Sequence, residues 1–475
     1  MKQTLADIRS ELVQPYFCAL LTLSLVPIFP EYISFLLVLI AVAFAIKDIR
    51  NNRRQIRLGL IGKFLLLYCA YQTFTCIVST HPTQSLLVSL MWWFFLLAYL
   101  VVTNLLTDKR RTDRFLMCLT ASAGIVGLIA CVQYRINFFT DSNTGNLWAW
   151  LDNIVFKLVP FDIFHLNYAL RAYSTFPNPN MLAQYLVMAA PLVTCYNFME
   201  QRHKRTRLFS RICLFLTFAG VMFSFSRGGY VAMILLAVAI VILNIRHRFA
   251  EVSLYVISTI LFLPEEVVNR LFTIKKGISR NSDISNKVTN APQPRSVSTP
   301  ATTTTPATTI TNSDIINNAG AETAMGERWE IWFEAIHRFL ERPLFGYGAG
   351  TQPTYAIYEE IGIKAPHAHN IVLQILLEGG VFALLIMGLI GFKTIKNGVI
   401  MMRNGYNSSF WIGFSLLAFS VCFLTHGMVD YPLMIPRLVC FFCMFLGFAE
   451  QTAHIYEANG NSVRAKLKSK FRCHK

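Results

Sequence analysis

"SLLVSLMWWFFLLAYLVVTNLL", Ser85–Leu106, carries no charged side chain. Wound as a helix it covers the ~30 Å hydrocarbon core of a bilayer, and a helix satisfies its own backbone polar groups where lipid offers no partner. Comparable apolar runs recur at 15–29, 31–46, 58–79, 115–133, 180–198, 208–225, 229–245, 251–264, 370–392, 410–429 and 433–449. Composition agrees: of 475 residues, 54% are hydrophobic and only 15% charged, with a mean hydropathy of +0.46. Soluble chains carry about 25% charged residues. The sequence therefore predicts an all-α, polytopic integral membrane protein with about 12 transmembrane helices. The least regular runs are 15–29 and 31–46, interrupted by Pro27 and Pro30, and 251–264, which is short.

The net charge is +17, from 43 Lys and Arg against 26 Asp and Glu. In a soluble protein that excess would point to nucleic acid. Here it follows the positive-inside rule, which collects Lys and Arg in cytoplasmic loops. Lys47–Arg57, Lys109–Arg114, Arg202–Arg211, Arg246 with Arg248, Lys393–Arg403 and Arg464–Lys475 fall in alternate connections, whereas Ser79–Gln84 has neither Lys nor Arg. The alternation predicts both termini in the cytoplasm and no nucleic-acid partner. All the cysteines except Cys473 lie in apolar runs, where cysteine is a small apolar side chain. Cys440 and Cys443 have metal-knuckle spacing but no second pair to complete a site, so neither a disulfide nor structural zinc is expected. Met1–Gln14 carries acidic and polar residues and no cleavage signal, and does not read as a cleavable leader.

These assignments divide the chain into N-terminal spans (1–133), a first outer loop (134–179), further spans (180–264), a large outer loop (265–369), C-terminal spans (370–449) and a basic cytoplasmic tail (450–475). The first loop holds "NLWAWLDNIVFKL" (146–158), whose Leu147, Trp148, Leu151, Ile154, Val155 and Leu158 suit a helix lying in the interface. The second begins with "EEVVNRLFTIKKGI" and passes into "APQPRSVSTPATTTTPATTITNSD" (291–314). That Ser/Thr/Pro tract cannot bury enough apolar surface to offset its ordering entropy and reads as disordered. In "GERWEIWFEAIHRFLERP", Trp329, Trp332, Phe333, Ile336, Phe339 and Leu340 predict a second amphipathic helix with one apolar face, closed by Pro343 and "GYGAG".

The same topology collects chemistry on the outer side. "PHAHN" brings His367, His369 and Asn370 to the start of the tenth span. Arg227 lies in "SFSRGGY", Arg171 leads into "YSTFPNPN", and Arg328 opens the amphipathic helix. His426 and Asp430, one turn apart, close the eleventh span, and Arg437 follows. Together they describe a cationic cavity beside a helix N-terminus, a setting that favours anions. Two imidazoles two residues apart could hold a metal, but no third ligand of matching type is near in sequence and no metal is expected.

"HNIVLQILLEGG" resembles the signature of the bacterial O-antigen ligase and O-antigen polymerase superfamily: His369, Asn370, nine residues and Gly380. "RAYSTFPNPNMLAQYL", "FSFSRGGYVA" and "RWEIWFEAIHRFLERPLFGYGAG" agree in order, so the resemblance covers roughly Arg171–Gly391. Ala383 stands where the family has a small or polar residue. The resemblance implies a metal- and cofactor-independent membrane glycosyltransferase in the bacterial inner membrane, serving lipopolysaccharide or cell-surface polysaccharide biosynthesis. Its donor would be a glycan on undecaprenyl pyrophosphate, and its acceptor a hydroxyl of a glycan, lipid or protein. His369 would act as base, Arg171, Arg227 and Arg328 would hold the donor pyrophosphate, and His367, Asn370, His426 and Asp430 would complete the substrate-binding surface. A pyrophosphate leaving group needs positive charge rather than a general acid, and arginine supplies it through bidentate contacts. A polysaccharide polymerase or a protein O-oligosaccharyltransferase fits the same motifs. A transporter or flippase fits less well, because the spans are nearly free of ionisable residues away from their ends and show no internal repeat.

Overall fold

The computed structural model describes residues 13–136, 171–199, 204–244, 328–404 and 408–472. The expected span at 251–264, the interfacial helix at 146–158, the segment 265–278 and the Ser/Thr/Pro tract at 291–314 lie outside the described residues. Among the described residues the structure is helical, with no strand. The helices are α1 Pro15–Ser24, α2 Glu31–Asn51, α3 Gly59–Thr75, α4 Pro82–Leu105, α5 Lys109–Ile136, α6 Pro179–Phe198, α7 Lys204–Phe223, α8 Arg227–Asn244, α9 over 328–341, α10 Thr351–Glu360, α11 Ile371–Asn404, α12 Ser408–Gly427 and α13 Pro436–Arg472. Every expected span within the described residues has its helix. Among the described residues eight helices are long and apolar enough to cross a membrane, and α1 and α8 are shorter apolar helices. The chain is a multi-pass membrane protein.

Helices α6 and α13 form the middle of the bundle: the apolar stretches of the two are 94% and 89% buried, against 28% for α2 at the edge. Around them α5 packs on α7, α4 on α13, α12 on α6 and α11 on α3 and α12. The outward faces carry apolar rows at helical spacing, such as Phe382, Leu385, Leu389 and Phe392 on α11 and Val231, Ile234, Leu235 and Val238 on α8. Exposed rows of this size mark a surface made for lipid. With no hydrophobic drive between helices in lipid, close backbone approach at small residues does the joining. Gly127 of α5 lies against the Leu216 backbone of α7, and Gly413 of α12 against the Gly398 carbonyl of α11.

Polar contacts are concentrated at the two ends. At one, buried Asp48 accepts from Arg54 and Arg111, Asn104 bonds the Arg57 backbone, and Glu450 accepts from the Leu60 and Ile61 N–H groups that open α3. At the other, Arg437 binds Glu31 (2.8 Å) and the Phe29 and Thr175 carbonyls, and the Ala172 N–H bonds the Phe223 carbonyl. Arg437 is thereby a tie between the α1–α2 turn, the segment before α6 and α13.

Helix α9 departs from the expected single apolar face. Ile331 and Ala335, four residues apart, are buried and Trp332 is partly buried with them, whereas Trp329, Phe333, Ile336 and Leu340 are exposed. Its apolar residues form two sides, one packed on Tyr347, Ile357, Tyr358, Ala365, Ala368 and Leu377 and the other outward. Trp332 Nε1 donates to the Ala368 carbonyl at 2.9 Å, and Arg338 joins Glu334 and Glu360, fastening α9 to α10.

The close crossings make a direct test. Gly127→Leu should destabilise the bundle by about 1–3 kcal/mol through overpacking, whereas Gly391→Ala, which meets nothing within 4 Å, should leave it unchanged. Thermal unfolding in detergent checks both, and equal transitions for the two variants would refute the packing described.

Candidate functional site

The histidine loop is held by what happens ten residues later. Within α11, Gly380 has φ 64° and ψ −164°, so the helix is broken there into two pieces. The segment 343–348 fills the break: Val381 N–H donates to the Pro343 carbonyl, and the Tyr347 and Gly348 N–H groups donate to the Leu377 and Glu378 carbonyls. Tyr71 donates to the carbonyls of Leu344 and Gly379. A Cβ at Gly380 would collide with the Leu344 backbone, so the glycine of the motif is required by close approach as well as by its positive φ.

At the other end of this half-helix Asn370 is the cap. Its Oδ1 accepts from the Val372 and Leu373 N–H groups at 2.9 and 3.2 Å, and its Nδ2 donates to the Met428 carbonyl at 3.3 Å. Both ends of the Asn370 side chain are therefore engaged with protein. His369, just before it, has φ 48°, a left-handed conformation that a side chain with a Cβ enters at a cost of about 1–2 kcal/mol. Neighbouring contacts impose that conformation: Ala368 N–H donates to Gln374 Oε1 (2.8 Å) while its carbonyl takes the Trp332 bond.

Asp430, from the α12–α13 connection, meets both histidines. Its Oδ1 lies 3.4 Å from His369 Nδ1 and 3.7 Å from His367 Nε2, and also accepts from the Tyr431 N–H at 2.9 Å. Burial alone would raise the Asp430 carboxyl, but the hydrogen bond with His369 and the neighbouring His367 and His369 rings outweigh it and hold the group below the ordinary carboxylate range. An ionised carboxylate only accepts, so His369 Nδ1 is the donor and a neutral ring keeps its lone pair on Nε2. His369 is the more open of the two, its side chain 27% exposed against 8% for His367. His367 Nδ1 accepts from the His369 N–H (3.1 Å), and burial, helped by His369 and Arg328, pushes the His367 imidazole down to about 4. His367 is a neutral structural partner at pH 7. The third donor atom that a metal would need, absent in sequence, is present in space: His367, His369 and Asp430 could hold a cation by distance.

The other predicted residues gather around the same end. His426 Nε2 lies 3.3 Å from Ser226 Oγ, while its buried Nδ1 has no partner. Ser226 also receives the Gly229 N–H at the start of α8, whose first residue is Arg227, and Phe225 before it has φ 52°. Arg171 donates to the Ser224 carbonyl (3.0 Å) and to Asn180 Oδ1 (2.8 Å), so it braces the turn that presents Arg227. Arg328 acts electrostatically on His367. Four residues that sequence reasoning passed over belong here: Ser226, Gln374, Glu378 and Tyr431. Gln374 Nε2 donates to Glu378 Oε1 (2.8 Å) and the Tyr431 hydroxyl donates to Glu378 Oε2 (3.1 Å). A signal was available, since Asn370, Gln374 and Glu378 repeat every four residues and place one polar stripe on an apolar helix.

The fold and site define a helical membrane bundle with a partly exposed histidine, a buried carboxylate and arginines at one end. Residues 212–388 match the model of the family described as O-antigen ligase, which bears out the resemblance over that stretch. The match includes Arg227, Arg328 and the histidine loop, and supports an O-antigen ligase- or polymerase-type membrane enzyme that transfers glycans. Comparison with curated proteins found no match.

The depressed His367 gives a pH test. At about 4 in the folded protein, it titrates below the ordinary imidazole value of about 6.5, so as pH falls through that interval the unfolded chain takes up a proton that the folded chain refuses. Stability should be full above pH ~6.5 and decline toward pH ~4. Asp430 does not titrate in that interval, being held lower still. Thermal unfolding across it should show a shallower decline for His367→Gln than for the unaltered protein, and an identical decline would refute the assignment.

Proposed function

We propose that the protein transfers a glycan from undecaprenyl pyrophosphate to an acceptor hydroxyl, without a metal, with His369 as general base. The observation that carries this reading is the His369–Asp430 pair. An ionised, buried carboxylate orients Nδ1 and leaves Nε2 to take a proton, at the end of the bundle that also presents Arg227 at a helix N-terminus. In the reaction the acceptor O–H gives its proton to His369 Nε2, the acceptor oxygen bonds the anomeric carbon, and the bond to the pyrophosphate oxygen breaks with its electron pair. Arg227, Arg328 and the positive N-terminal end of the α8 dipole meet the released charge. Arg171 supports them by fixing the 224–227 turn, and Asn370 by capping the half-helix. His426 and Ser226 line the same turn, and the unpartnered His426 Nδ1 offers a further contact to substrate.

The basic end of the bundle, with Arg54, Arg57 and Arg111, supports the cytoplasmic assignment, which puts the histidine end on the outer face of the bacterial inner membrane and both termini inside. A polysaccharide polymerase and a protein O-oligosaccharyltransferase would use the same base and arginines with another acceptor. Purified protein supplied with undecaprenyl-pyrophosphate glycan and each acceptor class in turn distinguishes them by the product formed.

In that assay His369→Ala should lose roughly 10²-fold or more of the transfer rate, the ordinary contribution of a positioned base. His367→Gln, neutral and able to accept the same N–H, should be several-fold milder. Arg227→Lys keeps the charge but loses the planar fork and should be impaired about tenfold or more. EDTA should have no effect. Wild-type transfer by His369→Ala would sink the base assignment, and loss in EDTA restored by a divalent cation would transfer the His367–His369–Asp430 cluster to metal binding.

A further inference from the structure

The polar contacts behind His369 close on themselves. Ala368, the residue between the two histidines, donates its N–H to Gln374 Oε1 at 2.8 Å. Gln374 Nε2 donates to Glu378 Oε1 at 2.8 Å, and Glu378 Oε2 receives the Tyr431 hydroxyl at 3.1 Å. Tyr431 returns the path through its own backbone, its N–H donating to Asp430 Oδ1 at 2.9 Å, the oxygen that faces His369 Nδ1. Glu378 also takes the Gly350 backbone N–H, and its own carbonyl takes that of Gly348. Gln374, Glu378 and Tyr431 are 1%, 4% and 5% exposed, so none of them reaches solvent to be satisfied there.

A carboxyl at this depth in an apolar helix is expensive, and an apolar side chain of similar volume would hold the helix at lower cost. What an apolar side chain cannot do is fix three separate segments in register. Glu378 joins the half-helix behind the histidines, the 347–350 turn and the loop that carries Asp430. That loop has few other ties near the carboxylate: Asp430 N–H to the His426 carbonyl, and Asn370 Nδ2 to the Met428 carbonyl. The left-handed backbone of His369 persists only while its surroundings insist on it.

We propose that Gln374, Glu378 and Tyr431 are positioning residues, which act through a closed circuit of hydrogen bonds to fix Asp430 against His369 and both against the acceptor. The inference rests on the reading of His369 as base. None of the three touches substrate; they determine whether the base is aimed. A displacement of about 1 Å at a reacting group can lower a rate by ~10²-fold, so breaking the circuit acts on kcat, while the arginines that hold the donor, and with them KM, are left in place.

The test compares Tyr431→Phe, Glu378→Leu, Glu378→Gln and His369→Ala in the purified full-length protein, with kcat and donor KM measured together and thermal unfolding in parallel. Tyr431→Phe removes one hydroxyl and keeps the ring. It should lower kcat about tenfold or more with donor KM within about twofold. Glu378→Leu should do the same or fail to fold. Glu378→Gln keeps polar atoms at both positions, and should recover kcat to within about threefold of the unaltered protein. If Glu378→Leu does not fold, Tyr431→Phe and Glu378→Gln decide. Tyr431→Phe with unchanged kcat, or with a raised KM and unchanged kcat, overturns the circuit while leaving His369 as base if His369→Ala is inactive. Loss of stability with unaltered kcat per folded molecule overturns it too, by making the circuit a fold element only. An active His369→Ala removes the base reading, and the circuit's catalytic role with it.

Discussion

A helix broken inside a membrane protein must have its freed backbone groups met from elsewhere, and in α11 they are met by the segment 343–348. This insertion is the constraint on which the rest of the site depends. It fixes Gly380, separates a short polar-striped half-helix from the long apolar one, and brings the turn after α9 against the wall of the bundle. Through Trp332 and Ala368 it also determines where α9 lies relative to the histidines. The motif glycine and the motif histidine are the two ends of one structural unit.

Charge is divided along the bundle in a way that keeps the site responsive. At the basic end the buried Asp48 is held by two arginines, a cluster that ties helix ends together. At the histidine end Asp430 is shared among two imidazoles and a backbone N–H, and His426 retains an unpaired Nδ1. A buried polar atom without a partner is unfavourable until one is supplied, and the His426 Nδ1 is such an atom.

The stretch that matches the family does not contain the whole site. Residues 212–388 hold the Arg227 turn, Arg328 and the histidine loop, but Arg171, His426, Asp430 and Tyr431 come from helix ends on either side of it. The bundle is therefore more than a support for a local motif. Its central helices α6 and α13 determine where those ends fall, because both are packed on all sides and neither can shift without disturbing the core.

The sequence by itself determined the class of fold and pointed to the histidine loop, but not to Ser226, Gln374, Glu378 or Tyr431 beside it. Apolar runs long enough for lipid, and basic residues concentrated in alternate connections, follow from solvent physics that acts residue by residue, so they can be read locally. The break between α1 and α2 around Pro27 and Pro30 was visible for the same reason, since each proline removes a backbone donor and fixes the chain locally. Two matters were decided only by the tertiary structure. One is the face that α9 buries: Ile331 and Ala335 carry the inward side although Trp329 and Phe333 are larger, because packing partners rather than hydrophobicity select a face. The other is the role of Asp430, which shares no local pattern with His369, lying 61 positions away. Burial converts that carboxylate from a surface charge into the partner that orients the His369 ring, and burial is a property of the assembled bundle.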